Sequence, residues 1–202
     1  MSTDIVSDRP TSRPRSYRWR VVDIVVASVV GVASGVIFWA WGLAYAPLSA
    51  ALEVTPGLSA LLGGGWLFAG VLGALIVRKP GAAIYTELIA AIVSALLGSA
   101  WGFGTLVSGA VQGLGAELVF ALFAYANWRA FVAVLAGAGA GLFMAINDLV
   151  VWYPGSDASF IATYVVCSLI SGAVLAGLVS YWLVGALARA GALSRFPSGR
   201  LA

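Results

Sequence analysis

Histidine is absent from this chain, and cysteine occurs only once, at Cys167. These absences exclude an intramolecular disulfide, a metal site built from histidine and cysteine, and a nucleophile paired with histidine. We therefore expect no metal ion, no cofactor and no catalytic residue. Charge is also scarce, because only 9% of the residues are Asp, Glu, Lys or Arg, against about 25% in an average soluble domain.

Apolar residues dominate the composition: 61% of the residues are hydrophobic, and the mean hydropathy is +1.00. Six continuous apolar stretches are each close to the roughly 17 to 25 residues that cross a bilayer as a helix. They lack the alternation that a membrane β-barrel requires. We predict an all-α membrane protein, a bundle of six transmembrane helices. The predicted spans are Val21–Ala46, Leu58–Val77, Ala82–Leu97, Leu106–Ala124, Ala130–Val151 and Phe160–Ala188.

The cations all fall on one side when these stretches are threaded through a membrane. Five arginines precede the first stretch, Arg78 and Lys79 lie between the second and third, Arg129 lies between the fourth and fifth, and three arginines follow the sixth. Short loops rich in Lys and Arg stay in the cytoplasm, so both termini and the second and fourth loops are predicted to be cytoplasmic. The net charge of +3 then reflects topology and affinity for anionic lipid, and no nucleic-acid partner is expected. The predicted domains are a disordered cytoplasmic tail (1–20), a membrane domain (21–188) and a cytoplasmic C-terminal tail (189–202).

Three carboxylates fall at membrane depth, namely Glu87, Glu117 and Asp148. A charged residue at a helix centre costs about 3 kcal/mol on insertion scales, so such groups usually face a bundle interior and mark a ligand or ion path. A structural role stays open for each of the three, including Glu117 in the middle of its span. Glu87 could pair with Arg78 and Lys79, and Asp148 could be hydrated near the outer end of its helix.

The outer loops are aromatic and contain no cation. The stretch from Tyr45 to Gly57 holds two prolines and is long for a hairpin, which suits a lid. The third and fifth loops add tryptophan and tyrosine, whose usual role is the aromatic belt at the membrane interface. Rings and carboxylates combined in an outward-facing pocket would suit an aromatic cation.

Small residues recur every four positions in the first span, at Ala27, Gly31 and Gly35. This spacing lets helix backbones approach closely in a membrane. The stripe fits either packing inside the bundle or a surface for a partner protein.

Five motifs follow one another in a specific order from the second span to the sixth. They are R-K-P-G-A-A from Arg78, E-L-I-A-A from Glu87, L-L-G from Leu96, V-Q-G-L-G-A-E from Val111 and S-G-A-V-L-A-G from Ser171. With these motifs the chain resembles the YkoE-type substrate-binding (S) subunits of energy-coupling factor (ECF) transporters.

The resemblance implies a multi-pass protein of the bacterial plasma membrane that captures a vitamin, thiamine or its hydroxymethylpyrimidine precursor, at the outer face. It also implies two kinds of partner, a transmembrane coupling subunit and ATPase subunits. The chain contains no Walker motif, so ATP hydrolysis is expected in those partners and the chain itself is not expected to be an enzyme. A proton- or ion-coupled carrier and a purely structural membrane subunit are the alternatives.

Site residues follow from depth and chemistry together with the resemblance. The expected substrate-binding residues are Trp66, Glu87, Gln112, Glu117, Asn147 and Asp148. Glu117 is expected to be the counter-charge of a cationic ligand on the pocket floor, with Gln112 facing a pyrimidine ring. Small-residue faces on helix one contact the coupling subunit in S components, so Ala27, Gly31 and Gly35 are the expected partner-binding residues.

Overall fold

The computed structural model describes residues 17–52 and 54–201, and the regular structure of these ranges is helical. Five of its six helices are long and apolar enough to cross a bilayer, and α3 is shorter, with 15 residues. The predicted six-helix membrane fold is confirmed. Residues 1–16, which make up most of the predicted N-terminal tail, lie outside the described residues. The six helices are α1 (Val21–Leu52), α2 (Leu58–Val77), α3 (Ala82–Leu96), α4 (Gly104–Leu122), α5 (Ala130–Val151) and α6 (Ala158–Arg189).

The first helix is longer than predicted. It passes the expected end at Ala46, includes Pro47 and continues to Leu52. Proline is tolerated in membrane helices because neighbouring groups satisfy the carbonyl that it frees. The connection to α2 is therefore short, and the prediction of a lid from Tyr45 to Gly57 is wrong. Tyr45 lies on the helix.

Helix α2 forms the centre of the bundle, where it contacts each of the other five helices. Every residue from Ala69 to Val77 is buried. Gly73 permits the close approach of α3, because a Cβ atom at this position would collide with Thr86. The outer helices follow one another as neighbours in the order α1, α3, α4, α5 and α6.

Two helices contain irregular segments. The outer part of α2, Leu58–Trp66, is a 3-10 helix, and the middle of α6, Gly172–Leu178, is a π-helix. Asp157 caps the N-terminus of α6, and its carboxylate accepts the backbone N–H of Phe160 at 2.8 Å. This bond stabilises the charged form and lowers the pKa of Asp157.

The small-residue stripe of α1 packs inside the bundle, against α3. A Cβ atom at Gly31 would lie 2.7 Å from the Cβ of Ile89, and one at Gly35 would lie 2.6 Å from the Cβ of Val93. Ala27 is fully buried. The assignment of these residues to a partner-binding surface is therefore corrected, since α3 already occupies the face. Close helix packing requires the same spacing whether the neighbour belongs to the same chain or to another.

One end of the bundle collects the cations. Asp23, at the start of α1, is fully buried and forms ion pairs with Arg20 at 2.8 Å and with Lys79 at 2.5 Å. The indole of Trp19 donates to the carbonyl of Pro80 at 2.9 Å. The chain before α1 is thereby bound to the loop between α2 and α3.

The other predicted cytoplasmic segments meet at the same end. The hydroxyl of Tyr17 donates to the carbonyl of Ala124 in the α4–α5 loop at 3.3 Å. After α6 the chain turns back, and the hydroxyl of Ser198 donates to the carbonyl of Ile76 at 3.0 Å. This basic end faces the cytoplasm by the rule that Lys and Arg remain inside.

Candidate ligand-binding site

A cavity of about 290 Å³ lies at the opposite, outer end of the bundle. Its size is near the lower limit of the roughly 300 to 1,000 Å³ that small-molecule sites occupy. All six helices and the outer loops contribute to its wall. Among the described residues that line it, none is Lys or Arg. Its lining residues include Tyr45, Ser59, Gly63, Trp66, Glu87, Ser99, Trp101, Ser108, Gln112, Asp148, Trp152, Tyr153 and Tyr164.

One wall is a cluster of three aromatic rings from α1, α2 and the α3–α4 loop. The ring centroids of Trp66 and Trp101 are 5.1 Å apart, and Tyr45 lies 5.3 Å from Trp66 and 5.7 Å from Trp101. All three pairs are edge-to-face, the arrangement that ring quadrupoles favour. The indole of Trp66 also donates to the carbonyl of Phe38 at 3.0 Å, which fixes its orientation. The wall offers oriented ring faces to a flat or cationic ligand.

Glu87 projects into the cavity from α3, with only 1% of its surface exposed. Its Oε2 atom accepts the backbone N–H of Gly70 at 2.6 Å. Gly70 lies in the first turn of the regular α-helical part of α2, where N–H groups lack partners within the helix. Its Oε1 atom is buried and has no hydrogen-bond partner among the described residues. One oxygen is therefore held by the protein, and the other is left without a partner among the described residues of the cavity wall.

The alternative pairing of Glu87 with the basic loop is not observed. Lys79 pairs with Asp23, and Arg78 donates through its Nε to the carbonyl of Leu75 at 3.2 Å. Within the described ranges, the ion pairs of the protein involve Asp23 and not Glu87.

Asp148 brings a second carboxylate to the same cavity from α5. One oxygen accepts the hydroxyl of Tyr164 at 2.8 Å, and the other accepts the side-chain amide of Asn147 at 3.1 Å. Asn147 also donates to the hydroxyl of Ser108 at 3.2 Å. Asp148 is thus oriented by α4 and α6. The sequence placed Asp148 near the outer end of its helix, and the cavity lies at that end.

Four of the six predicted substrate-binding residues line the cavity, and Asn147 and Glu117 do not. Trp66, Glu87, Gln112 and Asp148 line the cavity. Asn147 lies behind Asp148 and holds it. Tyr164, which no sequence signal singled out, lines the cavity because α6 packs against α5, and an aromatic residue in an apolar helix gives no indication of this by itself.

Glu117 lies outside the cavity, at the cytoplasmic end of α3. Its Oε1 atom accepts the backbone N–H of Gly81 at 2.6 Å and the hydroxyl of Tyr125 at 2.8 Å, and its Oε2 atom accepts the N–H of Ala83 at 2.8 Å. The expectation that it forms the pocket floor is wrong. Its carboxylate caps α3, whose first N–H groups have no intrahelical partner, and complements the positive end of that helix dipole.

Replacing Glu117 by alanine is expected to destabilise the bundle by about 2 to 4 kcal/mol, because the buried N–H of Ala83 and the partly buried N–H of Gly81 lose a charged acceptor. The midpoint of thermal unfolding in detergent should fall by roughly 5 °C or more. The midpoint of Glu117→Gln should fall less, because glutamine keeps one acceptor oxygen. An alanine variant that unfolds like the wild type would show that the cap contributes nothing to stability.

Comparison with a solved structure defines the class of this fold. The chain superposes on the crystal structure of an S-component of an ECF transporter with a TM-score of 0.85 and 35% sequence identity, covering 91% of this chain and 92% of the other. An S component is the substrate-binding membrane subunit of such a transporter. The outward cavity in a six-helix bundle agrees with this class.

Sequence comparison gives the family within that class. The chain is 36% identical over 189 residues to YkoE of Bacillus subtilis (strain 168), which is provisionally named an HMP/thiamine permease protein, covering 90% of this chain and 91% of the relative. Residues 22–143 match a family described as the permease component of an ABC-type cobalt transport system. The chain belongs to the YkoE family of ECF-transporter S components and is a multi-pass protein of the bacterial plasma membrane.

Proposed function

We propose that this subunit captures thiamine, or its hydroxymethylpyrimidine precursor, at the outer face of the membrane. The observation that carries the proposal is the Oε1 atom of Glu87, which is buried without a hydrogen-bond partner among the described residues, on a residue that lines the same cavity as the Trp66 and Trp101 rings. The name of the Bacillus subtilis relative points to the same two ligands.

The chemistry of thiamine matches this arrangement. Its thiazolium ring is a permanent cation, and opposite charges attract far more strongly in a low-dielectric cavity than in water. Tryptophan and tyrosine faces add cation-π attraction. The aminopyrimidine ring has donors and acceptors that the amide of Gln112 and the carboxylate of Asp148 can complement.

A cobalt ion, which the family description mentions, fits the site less well. Imidazole and thiolate side chains are the usual ligands that hold transition metals tightly, and the chain has no histidine. Within the described residues, no group of three or more His, Cys, Asp or Glu side chains lies together. The site therefore favours an organic cation.

Binding to the purified protein tests the proposal. Thiamine added to the protein in detergent should change tryptophan fluorescence saturably, because Trp66 and Trp101 lie in the cavity wall. Hydroxymethylpyrimidine should compete with it, and cobalt chloride should not. Saturable binding of cobalt without binding of thiamine would overturn the assignment.

Energy coupling is proposed to come from partners, a transmembrane coupling subunit and ATPase subunits. An affinity-tagged chain should copurify with an ATPase from its native membrane. Uptake should persist when the proton gradient is dissipated while ATP is held constant. Loss of uptake under those conditions would favour the proton- or ion-coupled carrier instead.

A further inference from the structure

The outer part of α2 has an unusual conformation. Leu58–Trp66 forms a 3-10 helix of nine residues. Runs longer than about four residues are uncommon because their hydrogen-bond geometry is poor, and such a stretch within a longer helix often marks a hinge or a strained sequence. Three consecutive glycines, from Gly63 to Gly65, leave the backbone of this segment free to change conformation.

The 3-10 geometry determines which residues face the cavity. A 3-10 helix has three residues per turn, so Ala60, Gly63 and Trp66 form one straight row, and all three line the cavity. In an α-helix the same row would rotate by about 60° per step, or about 120° from Ala60 to Trp66. The segment would also shorten from about 18 Å to about 13.5 Å. Conversion to α-helix would therefore remove part of the cavity wall.

Ser171 of α6 holds the opposite side of this segment. Its hydroxyl accepts the backbone N–H of Gly64 at 2.9 Å and donates to the carbonyl of Leu61 at 2.5 Å. Leu61 and Gly64 are the two ends of a single 3-10 turn. In an α-helix the carbonyl of Leu61 would instead accept from Gly65, and the N–H of Gly64 would donate to Ala60. The hydroxyl therefore bridges the two groups that a 3-10 turn pairs with each other, whereas an α-helical turn would pair each of them with a different residue.

The surroundings of Ser171 fit this role. The residue is 3% exposed, and a Cβ atom at Gly64 would lie 2.6 Å from its Oγ atom, so only glycine permits the contact. The π-helix of α6, Gly172–Leu178, begins at the next residue. Single π-helical turns occur frequently at functional sites. Ser171 thus directly precedes the π-helix of α6 and forms hydrogen bonds to the 3-10 segment of α2.

We infer that Ser171 is a positioning residue for ligand capture, and that the Leu58–Trp66 segment is the movable wall of the cavity. The Ser171 hydroxyl keeps the segment in its 3-10 conformation, which aligns Ala60, Gly63 and Trp66 against the ligand. When the two Ser171 bonds are lost, the segment converts towards α-helix. The row of Ala60, Gly63 and Trp66 then turns away from the cavity, and the ligand is released. The identity of that ligand rests on the proposed function, but the conformational role does not.

Amide hydrogen exchange of the purified protein without ligand tests the role of Ser171. In Ser171→Ala the amides of residues 61–66 should exchange at least about tenfold faster, because exchange follows local opening. The matched control is Ser168→Ala, which removes a buried hydroxyl from the same helix that has no hydrogen-bond partner among the described residues. Exchange in the Phe68–Val77 part of α2 should be unchanged in both variants. The inference would be overturned if the amides of residues 61–66 exchanged equally fast in the two variants, or if exchange became faster along the whole chain of Ser171→Ala.

A second measurement uses thiamine as the probe. Thiamine should dissociate about tenfold faster from Ser171→Ala than from Ser168→Ala, with similar thermal unfolding midpoints. If wild-type protein does not bind thiamine, the proposed function fails while the exchange contrast still stands. If Ser171→Ala does not fold, wild-type protein decides the matter: thiamine should slow exchange in residues 58–66 and leave Phe68–Val77 unaffected. Uniform protection of both parts of α2 would contradict a movable wall.

Discussion

Glu87→Gln is expected to weaken thiamine binding by about 30-fold or more, which corresponds to about 2 kcal/mol. The glutamine keeps the volume of the side chain and an oxygen that can accept the N–H of Gly70, so the fold should be retained. Only the negative charge facing the ligand is lost, and a buried charge without its partner is costly. Isothermal titration of the detergent-solubilised protein measures the effect.

The neutral hydroxymethylpyrimidine provides the internal comparison. It has no thiazolium, so Glu87→Gln should change its affinity much less, by no more than about threefold. Glu117→Gln is the matched control, because Glu117 lies outside the cavity and its replacement should leave the ratio of the two affinities unchanged. If Glu87→Gln weakens both ligands equally, Glu87 is not the counter-charge, and Asp148→Asn becomes the variant to compare.

Gly31→Leu is expected to destabilise the whole bundle by about 3 kcal/mol or more, since overpacking a close helix contact forces the backbones apart. A Cβ atom at Gly31 would already lie 2.7 Å from Ile89 and 3.0 Å from the carbonyl oxygen of Thr86. Displacing α3 also displaces Glu87, the residue after Thr86. The midpoint of thermal unfolding should therefore fall, and thiamine should bind more weakly.

Ala33→Leu is the control for this variant, because Ala33 lies on the exposed face of the same helix. It should change stability by no more than about 0.5 kcal/mol, as surface substitutions usually do. The alternative outcome is that Gly31→Leu has the unfolding midpoint and the thiamine affinity of the wild type but no longer associates with the coupling subunit. The stripe would then be a docking face.

Local signals accounted for most of the fold. Apolar length and the distribution of cations predicted six helices and their orientation, and the bounds of α2 and α5 coincide with the predicted spans. The predicted end of α1 at Ala46 is wrong because Pro47, a residue type that usually ends a helix in water, is accommodated inside this membrane helix. Tyr45 therefore lies on α1 in the cavity wall, and not in the loop that was predicted to form a lid.

The candidate site was only partly predictable. Burial of a carboxylate in an apolar span indicates a functional or capping role, but the sequence does not distinguish the two. Glu87 and Glu117 both satisfy that pattern. Glu87 faces a cavity with one oxygen free, whereas both oxygens of Glu117 accept hydrogen bonds around the first turn of α3. The difference depends on which helix lies opposite, and that is a long-range property.

By itself the sequence determined the class of environment, the number of spans, the sidedness and the absence of histidine chemistry, because each follows from composition and local order along the chain. Only the tertiary structure decided that the stripe of Ala27, Gly31 and Gly35 is buried inside the bundle, that Glu117 caps a helix, and that Ser171 holds a 3-10 segment in α2. Small residues and buried polar groups have no intrinsic partner. Their roles are set by the neighbour that packing brings within a few ångströms.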